Sequence, residues 1–186
     1  MSGVKTFSNE TSERYALALF ELGEDNSELD SLEKNIVYLK DCAKIAEIIE
    51  NNSIGLVVLA GFMKIIPKSI TDKYDGMILN LHPSLLPKHK GLDTHQKVIQ
   101  AKDKFHGASV HYVTSKLDNG PVIIQGKYEV DDYDENIMRE QVHKIEYQIL
   151  PIAIKWFVDG NITKLDNRFS FNKEVLECPI QHILDH

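Results

Sequence analysis

Asn80 and His82 stand two residues apart in Met77-Ile78-Leu79-Asn80-Leu81-His82, and Pro83-Ser84-Leu85-Leu86-Pro87-Lys88 follows at once. At the carboxyl end of a strand, both side chains can reach one pocket. An Asn amide can donate to an oxygen that gains negative charge during a reaction. A His gains and loses a proton near neutral pH, so it serves as acid, base or charge stabiliser. Asp118, in Leu117-Asp118-Asn119-Gly120-Pro121, is a third group of interest. A carboxylate beside an imidazole orients it and raises its pKa. Each group also has an ordinary reading. Asn-x-His-Pro suits a loop, and Asp suits a turn. Spacing alone does not bring Asp118 to His82; a fold has to.

The elements that must position these groups alternate in type, which predicts an α/β domain. The spacing predicts a helix over Asn9–Leu22, capped by Asn9 and ended by Gly23. Leu32, Ile36, Leu39, Ala43, Ala46 and Ile49 recur at helical spacing, with Asn51-Asn52 as the stop. Leu56–Ala60 and Met77–Leu81 are short apolar runs, as expected of parallel strands buried on both faces. Pro67-Lys68-Ser69 opens a short helix between them, and Thr94–Lys102 reads as another. Ala108–Thr114 and Val122–Val130 read as the arms of an antiparallel hairpin around the Asp118–Pro121 turn. A helical pattern interrupted by Pro151 then runs from Asp134 to Gly160, with a bend or restart expected near Leu150. The tail after Ile162 shows no regular pattern. Ligands of open α/β sheets bind beyond the carboxyl ends of the strands, where Asn80 and His82 lie.

The chain has 186 residues, 42% of them hydrophobic, enough for one domain with a buried core. A net charge of -7 argues against nucleic acid or an anionic membrane as partner. No apolar run reaches the ~18 residues of a membrane span, and Met1-Ser2-Gly3-Val4-Lys5 carries no secretory signal. Cys42 and Cys178 read as ordinary thiols of a reducing compartment, so a cytoplasmic location is expected. His82, His89, His95 and His106 lack metal-ligand spacing, and no metal is expected.

Several ordered stretches together resemble the folate-dependent formyltransferases, and within them the branch that formylates glycinamide ribonucleotide. These stretches are Val58–Ile66, Asn80–Lys88, Gly91-Leu92-Asp93-Thr94-His95, Phe105–Thr114, Leu117–Ile123, Glu146 and Leu150–Phe157. The resemblance is specific from Val57 to Asp159 and weaker from Phe7 onward. It implies a Rossmann-like fold: a mostly parallel twisted sheet with helices on both faces and an antiparallel hairpin toward the C-terminus. It implies 10-formyltetrahydrofolate as formyl donor, and small-molecule partners only: the folate and glycinamide ribonucleotide. A monomer or homodimer is expected.

Asn80, His82 and Asp118 match the family's catalytic positions. Asn80 and a protonated His82 would stabilise the oxyanion formed when an amine attacks the formyl carbon. Asp118 would hold His82 and an ordered water. Met63, Lys64, Ile65 and Ile66, with Val113, Thr114, Ser115, Lys116 and Leu117, would line the pterin pocket; read without the resemblance, the same stripe is ordinary core. Pro83, Ser84 and Glu146 would contact the amine substrate, although a helical Glu is usually just solvated. His111 and Ser109 would support the site, core packing being the other reading of His111. The resemblance also implies a cis Leu86–Pro87 bond.

The chain departs from the family near its start. Members open with a strand and a Ser-Gly-x-Gly-Ser-Asn loop whose amides hold the ribotide phosphate. Here Gly3 is the only glycine before Gly23, and the chain begins about where the family's second strand begins, at Val4-Lys5-Thr6-Phe7. Asp93 and Asn119 stand where the family often has His and Gly. Three other readings remain. One is a relative acting on another amine, such as a nucleotide-linked amino sugar, against which Gly91–His95 speaks. Another is a folate-binding remnant that lost the phosphate loop. The last is a generic nucleotide-binding module, for which no GxGxxG or Walker loop is present.

Overall fold

Two apolar runs form the start of the main sheet, β1 (Val57–Ala60) and β2 (Ile78–His82), paired in parallel. The computed structural model describes residues 45–62 and 64–182. By its contacts the chain divides into two units, Met1–Tyr38 and Leu39–His186, and every described residue lies in the second. The expected Asn9–Leu22 helix, the start of the next helix and Met63 lie outside the described residues. What is described of that second helix is α1 (Ile45–Asn52), ended at Ser53 with φ 52. Its buried Ile45 and Ile49 stand four apart on one face and join Val57, Leu59 and Ile78 in a core cluster. Pro67 precedes α2 (Lys68–Lys73), as the sequence predicts.

The sheet continues through β3 (Phe105–Tyr112) and β4 (Val122–Glu129), in the order β1-β2-β3-β4-β8, where β8 spans Ile180–His182. β2–β3 and β3–β4 are antiparallel, and β4–β8 is parallel. Four of the five strands therefore run one way and only β3 is reversed, which is the mostly parallel sheet the sequence implies. The hairpin starts three residues earlier than expected, at Phe105, and its first arm ends at Tyr112.

α3 (Thr94–Ala101) crosses from β2 to β3, and α4 (Glu135–Val158) packs on β3 and β4. The Asp134 carboxylate caps α4, accepting from the Asn136 and Ile137 backbone N–H groups at 2.8 and 3.1 Å. The restart expected near Leu150 does not occur, and the helix runs on through Pro151. An internal proline costs a helix about 3 kcal/mol. Ile145, Ile149, Leu150, Ala153 and Ile154 are all buried around it, and each large apolar side chain contributes about 1.5–3 kcal/mol. Packing against the sheet therefore outweighs the missing N–H. Among the described residues no helix is long and apolar enough to cross a membrane.

The tail is more regular than its sequence suggests. β5 (Ile162–Leu165), β6 (Arg168–Phe171) and β7 (Glu174–Leu176) form a separate antiparallel sheet. Asn172 and Lys173, with φ 51 and 72, make a two-residue turn of the kind that suits right-twisted hairpins. The usual Asn-Gly or Asp-Gly signal is absent, so the turn was not legible.

Side-chain alternation gives the main sheet two different faces. Gly126 faces α4, where an added Cβ would lie 2.4 Å from Ile145 Cγ2. Its ladder partner Ala108 shares that face, as do Val110 and Tyr112 two and four residues on. Asn80, His82, Ser109, His111 and Gln125 occupy the opposite face, with Asn80 paired to His111 and His82 to Ser109. Ile78 shares it too and meets α1 there. Helices thus cover both faces, and the polar groups gather on one.

Candidate active site

Asn80 and His82 reach the site because β2 ends there, and β3 brings His111 and Ser109 beside them. The β3–β4 register shifts between Val110 and His111. The extra residue is Ile123 of β4, while His111 keeps its regular pairing with Asn80 of β2. His111 Nδ1 lies 2.8 Å from the Tyr112 carbonyl, which only accepts, so Nδ1 carries the hydrogen. Its Nε2 then accepts from Asn80 Nδ2 at 3.0 Å. That fixes the Asn80 amide with its second N–H hydrogen free to donate elsewhere.

Asp118 comes from the loop after β3 and adopts φ 44, a left-handed conformation that Asp tolerates better than most residues. Gly120 makes the turn possible, since a Cβ there would lie 1.8 Å from the Tyr112 carbonyl oxygen. Asp118 Oδ2 accepts from the Gly91 N–H at 2.8 Å. The same oxygen lies 3.5 Å from His82 Nδ1, and Oδ1 lies 3.6 Å from His111 Nε2. Burial works to raise the Asp118 pKa, but His111, the Gly91 N–H and His82 outweigh it and hold the carboxyl below its usual range. Asp118 is therefore a carboxylate at neutral pH.

His82 is buried, with its side chain 6% exposed. Nε2 donates to the His89 carbonyl at 3.0 Å, leaving the Nδ1 lone pair toward Asp118. Burial pushes its pKa down, and His111 and Lys97 add to this, while the His89 carbonyl and Asp118 act the other way. The net shift is downward, so His82 rests neutral at pH 7.

The loop after His82 is held from beneath. Ser109 Oγ donates to the Ser84 carbonyl at 2.6 Å and accepts from the Leu86 N–H at 3.1 Å. Gln125 Nε2 donates to the Leu86 carbonyl and to Ser109 Oγ, at 2.8 and 2.9 Å. The Leu86–Pro87 bond is cis.

A cleft opens beside the three polar groups Asn80, His111 and Asp118. It is walled by Lys64, Ile65 and Ile66 on one side and Val113, Thr114, Lys116 and Leu117 on the other. Most of the stripe expected to line a pocket therefore does line one. Ser115 does not line it, and Met63 lies outside the described residues. Leu59 and Phe62 line it too; they lie within the Val58–Ile66 stretch of the resemblance but not among the residues expected to line the pocket. They sit in the same apolar run and differ from core residues only in what they face.

Three other expected residues lie elsewhere. Pro83 is half-buried in the loop. Ser84 is fully buried, and its hydroxyl donates to the Lys88 carbonyl at 2.8 Å. A buried hydroxyl must be satisfied locally, and this one ties the loop to itself. Glu146 is buried on α4 rather than solvated, with His143 Nε2 3.8 Å away, and does not line the cleft. The His89 carbonyl and Gly91 N–H were not singled out, since backbone groups leave no residue-type signal. Among the described residues no group of three or more His, Cys, Asp or Glu side chains is placed to hold a metal ion.

A cleft with an amide donor and a carboxylate, and a buried neutral His82 beside that carboxylate, suits addition to a carbonyl carbon, with charge developing on oxygen. Residues 28–154 match the family described as formyl transferase. The phosphoribosylglycinamide formyltransferase of Escherichia coli K12 is 46% identical over 113 residues, 60% of this chain and 53% of that protein. The Haemophilus influenzae enzyme of the same name is 40% identical over 126 residues, 66% of this chain and 58% of that protein. The chain thus spans a little over half the length of these curated relatives. The solved phosphoribosylglycinamide formyltransferase of Coxiella burnetii superposes with a TM-score of 0.70 at 34% identity, covering 75% of this chain and 67% of that one. With the fold, the cleft and the matched residues in agreement, the chain belongs to the formyl transferase family.

Proposed function

We propose that this chain transfers a formyl group from 10-formyltetrahydrofolate to the amine of 5'-phosphoribosylglycinamide, a step of purine biosynthesis. The observation that supports it most is the meeting of Asn80, His111 and Asp118 at one cleft, with His82, which does not itself line it, 3.5 Å from the Asp118 carboxylate. The relatives named above carry the acceptor in their names.

In this reading the folate lies in the cleft between Lys64–Ile66 and Val113–Leu117, its ring system against apolar side chains. The acceptor amine attacks the formyl carbon, and the carbonyl oxygen takes on negative charge. Asn80 donates its remaining N–H to that oxygen. The proton that the attacking amine loses passes to His82 Nδ1 and makes an imidazolium held between the Asp118 carboxylate and the His89 carbonyl, whose charge stabilises the intermediate. Collapse breaks the bond from the formyl carbon to the folate nitrogen, which takes up that proton and returns His82 to its neutral form. Asp118 keeps the imidazole oriented and offsets the burial that otherwise opposes its charge.

The test is formyl transfer from 10-formyltetrahydrofolate to glycinamide ribonucleotide, comparing the chain with His82→Ala. Transfer by the parent and its loss in the variant support the assignment. Folate binding without transfer by the parent sinks the transferase reading, and absence of folate binding sinks the cleft assignment as well.

A further inference from the structure

We propose that Asp103 and His89 form a clip that positions the His82 imidazole, Asp103 acting through the peptide carbonyl of His89. The clip lies outside the groups that meet at the cleft. His82 is held at both ring nitrogens, by Asp118 at Nδ1 and by the His89 carbonyl at Nε2. Carbonyl and carboxylate both only accept, but the carbonyl is the nearer, at 3.0 Å against 3.5 Å, so in the neutral ring the hydrogen sits on Nε2 and the lone pair on Nδ1. The position of one peptide group thus decides which nitrogen of His82 does the chemistry.

That peptide group is in an unusual state. His89 has φ 51, a left-handed conformation that a non-glycine residue keeps only where its surroundings impose it. The surroundings here are specific. His89 Nε2 lies 2.6 Å from Asp103 Oδ2, and Lys88 Nζ lies 2.9 Å from Asp103 Oδ1. One carboxylate therefore grips two consecutive residues of the loop. Both members of the ring–carboxylate pair are largely shielded, at 16% and 18% side-chain exposure. The contact from His89, then that from Lys88, holds the Asp103 carboxyl below its usual range. Asp103 is itself anchored where α3 ends. Its N–H donates to the Val98 carbonyl at 3.2 Å, and its carbonyl accepts from the Tyr133 hydroxyl at 3.2 Å. Rigid scaffold, Asp103, the His89 peptide and His82 thus form one continuous chain. His89 and Asp103 are positioning residues, since neither reaches the cleft.

The experiment is ¹⁵N NMR of the imidazoles, with kinetics alongside, for the parent, Asp103→Ala, Asp103→Asn and Asp103→Glu. In the parent, neutral His82 shows the Nε2–H form. In Asp103→Ala it becomes a mixture of the two neutral forms. It also titrates at lower pH, because the carbonyl contact favours the charged ring while His111 and Lys97 still oppose it and Asp118 still supports it. The turnover number falls by about tenfold to a hundredfold, the folate KM stays within about twofold, and Asp103→Glu recovers part of the loss. If Asp103→Ala does not fold, Asp103→Asn, which keeps shape and loses charge, is read the same way. An unchanged His82 spectrum in a folded variant, even one that melts earlier, overturns the proposal and leaves the clip a loop staple. The kinetic arm rests on the formyl-transfer reading, but the spectra do not. A parent that transfers no formyl group defeats that reading while the tautomer comparison still decides this one.

Discussion

Asn80 Nδ2 and His111 Nε2 meet at 3.0 Å across the β2–β3 ladder, where the two residues are direct partners. The contact ties the Asn80 amide to a ring whose other nitrogen is committed to the Tyr112 carbonyl. The Asn80 amide is therefore aimed before substrate arrives, which is how a preorganised donor lowers a barrier.

Asn80→Ala should lower the turnover number of formyl transfer by about 10²–10³, the usual cost of one oxyanion donor. The folate KM should barely move, because the lost interaction strengthens only in the transition state. Steady-state kinetics against each substrate measure this. A variant with a raised KM and unchanged turnover would show that Asn80 binds the ground state instead.

Asp118→Asn should move the pH profile. Burial keeps the His82 pKa below its ordinary value, and Asp118 counters this. Without the carboxylate, the imidazolium loses its support, so the His82 titration shifts further toward acid and turnover falls. An acid limb of the rate profile that stays in place after the substitution would remove Asp118 from this role.

Acid should destabilise the fold through His95 and His106, whose rings meet at 2.9 Å, Nδ1 to Nε2. Burial first, then Arg139, pushes His95 down to about 4. Burial first, then His95, pushes His106 down to about 3. Free histidine titrates near 6.5, so between that pH and about 4 the unfolded chain binds more protons than the folded one. Stability then falls as pH falls, by up to about 1.4 kcal/mol per pH unit for each proton. Urea unfolding followed from pH 7 to pH 4 should show the decline, and His106→Gln should flatten it. Equal slopes in both proteins would place the acid sensitivity elsewhere.

Gly126→Ala should destabilise the protein by about 1–3 kcal/mol, as overpacking does in a filled core. The new Cβ would lie 2.4 Å from Ile145 Cγ2 and 3.3 Å from Ile149 Cγ2, so α4 has to move off the sheet. Chemical denaturation measures the loss. Because the glycine faces α4 and not the cleft, folate binding by the folded fraction should persist.

The sequence by itself determined the α/β class, both parallel strands, the hairpin and the stripe that lines the cleft. Each rests on local pattern: apolar runs such as Val57–Ala60, turn residues such as Asn119-Gly120-Pro121, and ordered motifs that a family shares. Tertiary structure alone decided the rest. The approach of Asp118 to His82 follows from the register of β2 on β3, and a pairing of residues 36 positions apart leaves no mark in either segment. The unbroken helix through Pro151 depends on burial against the sheet, which overrides a local breaker. The buried state of Ser84 and Glu146 depends on which way their elements turn, although both residue types usually seek water. The His82 tautomer is set by a carbonyl, His89's, and every residue has one. Residue types show which groups can do chemistry, while long-range packing decides which of them share a site.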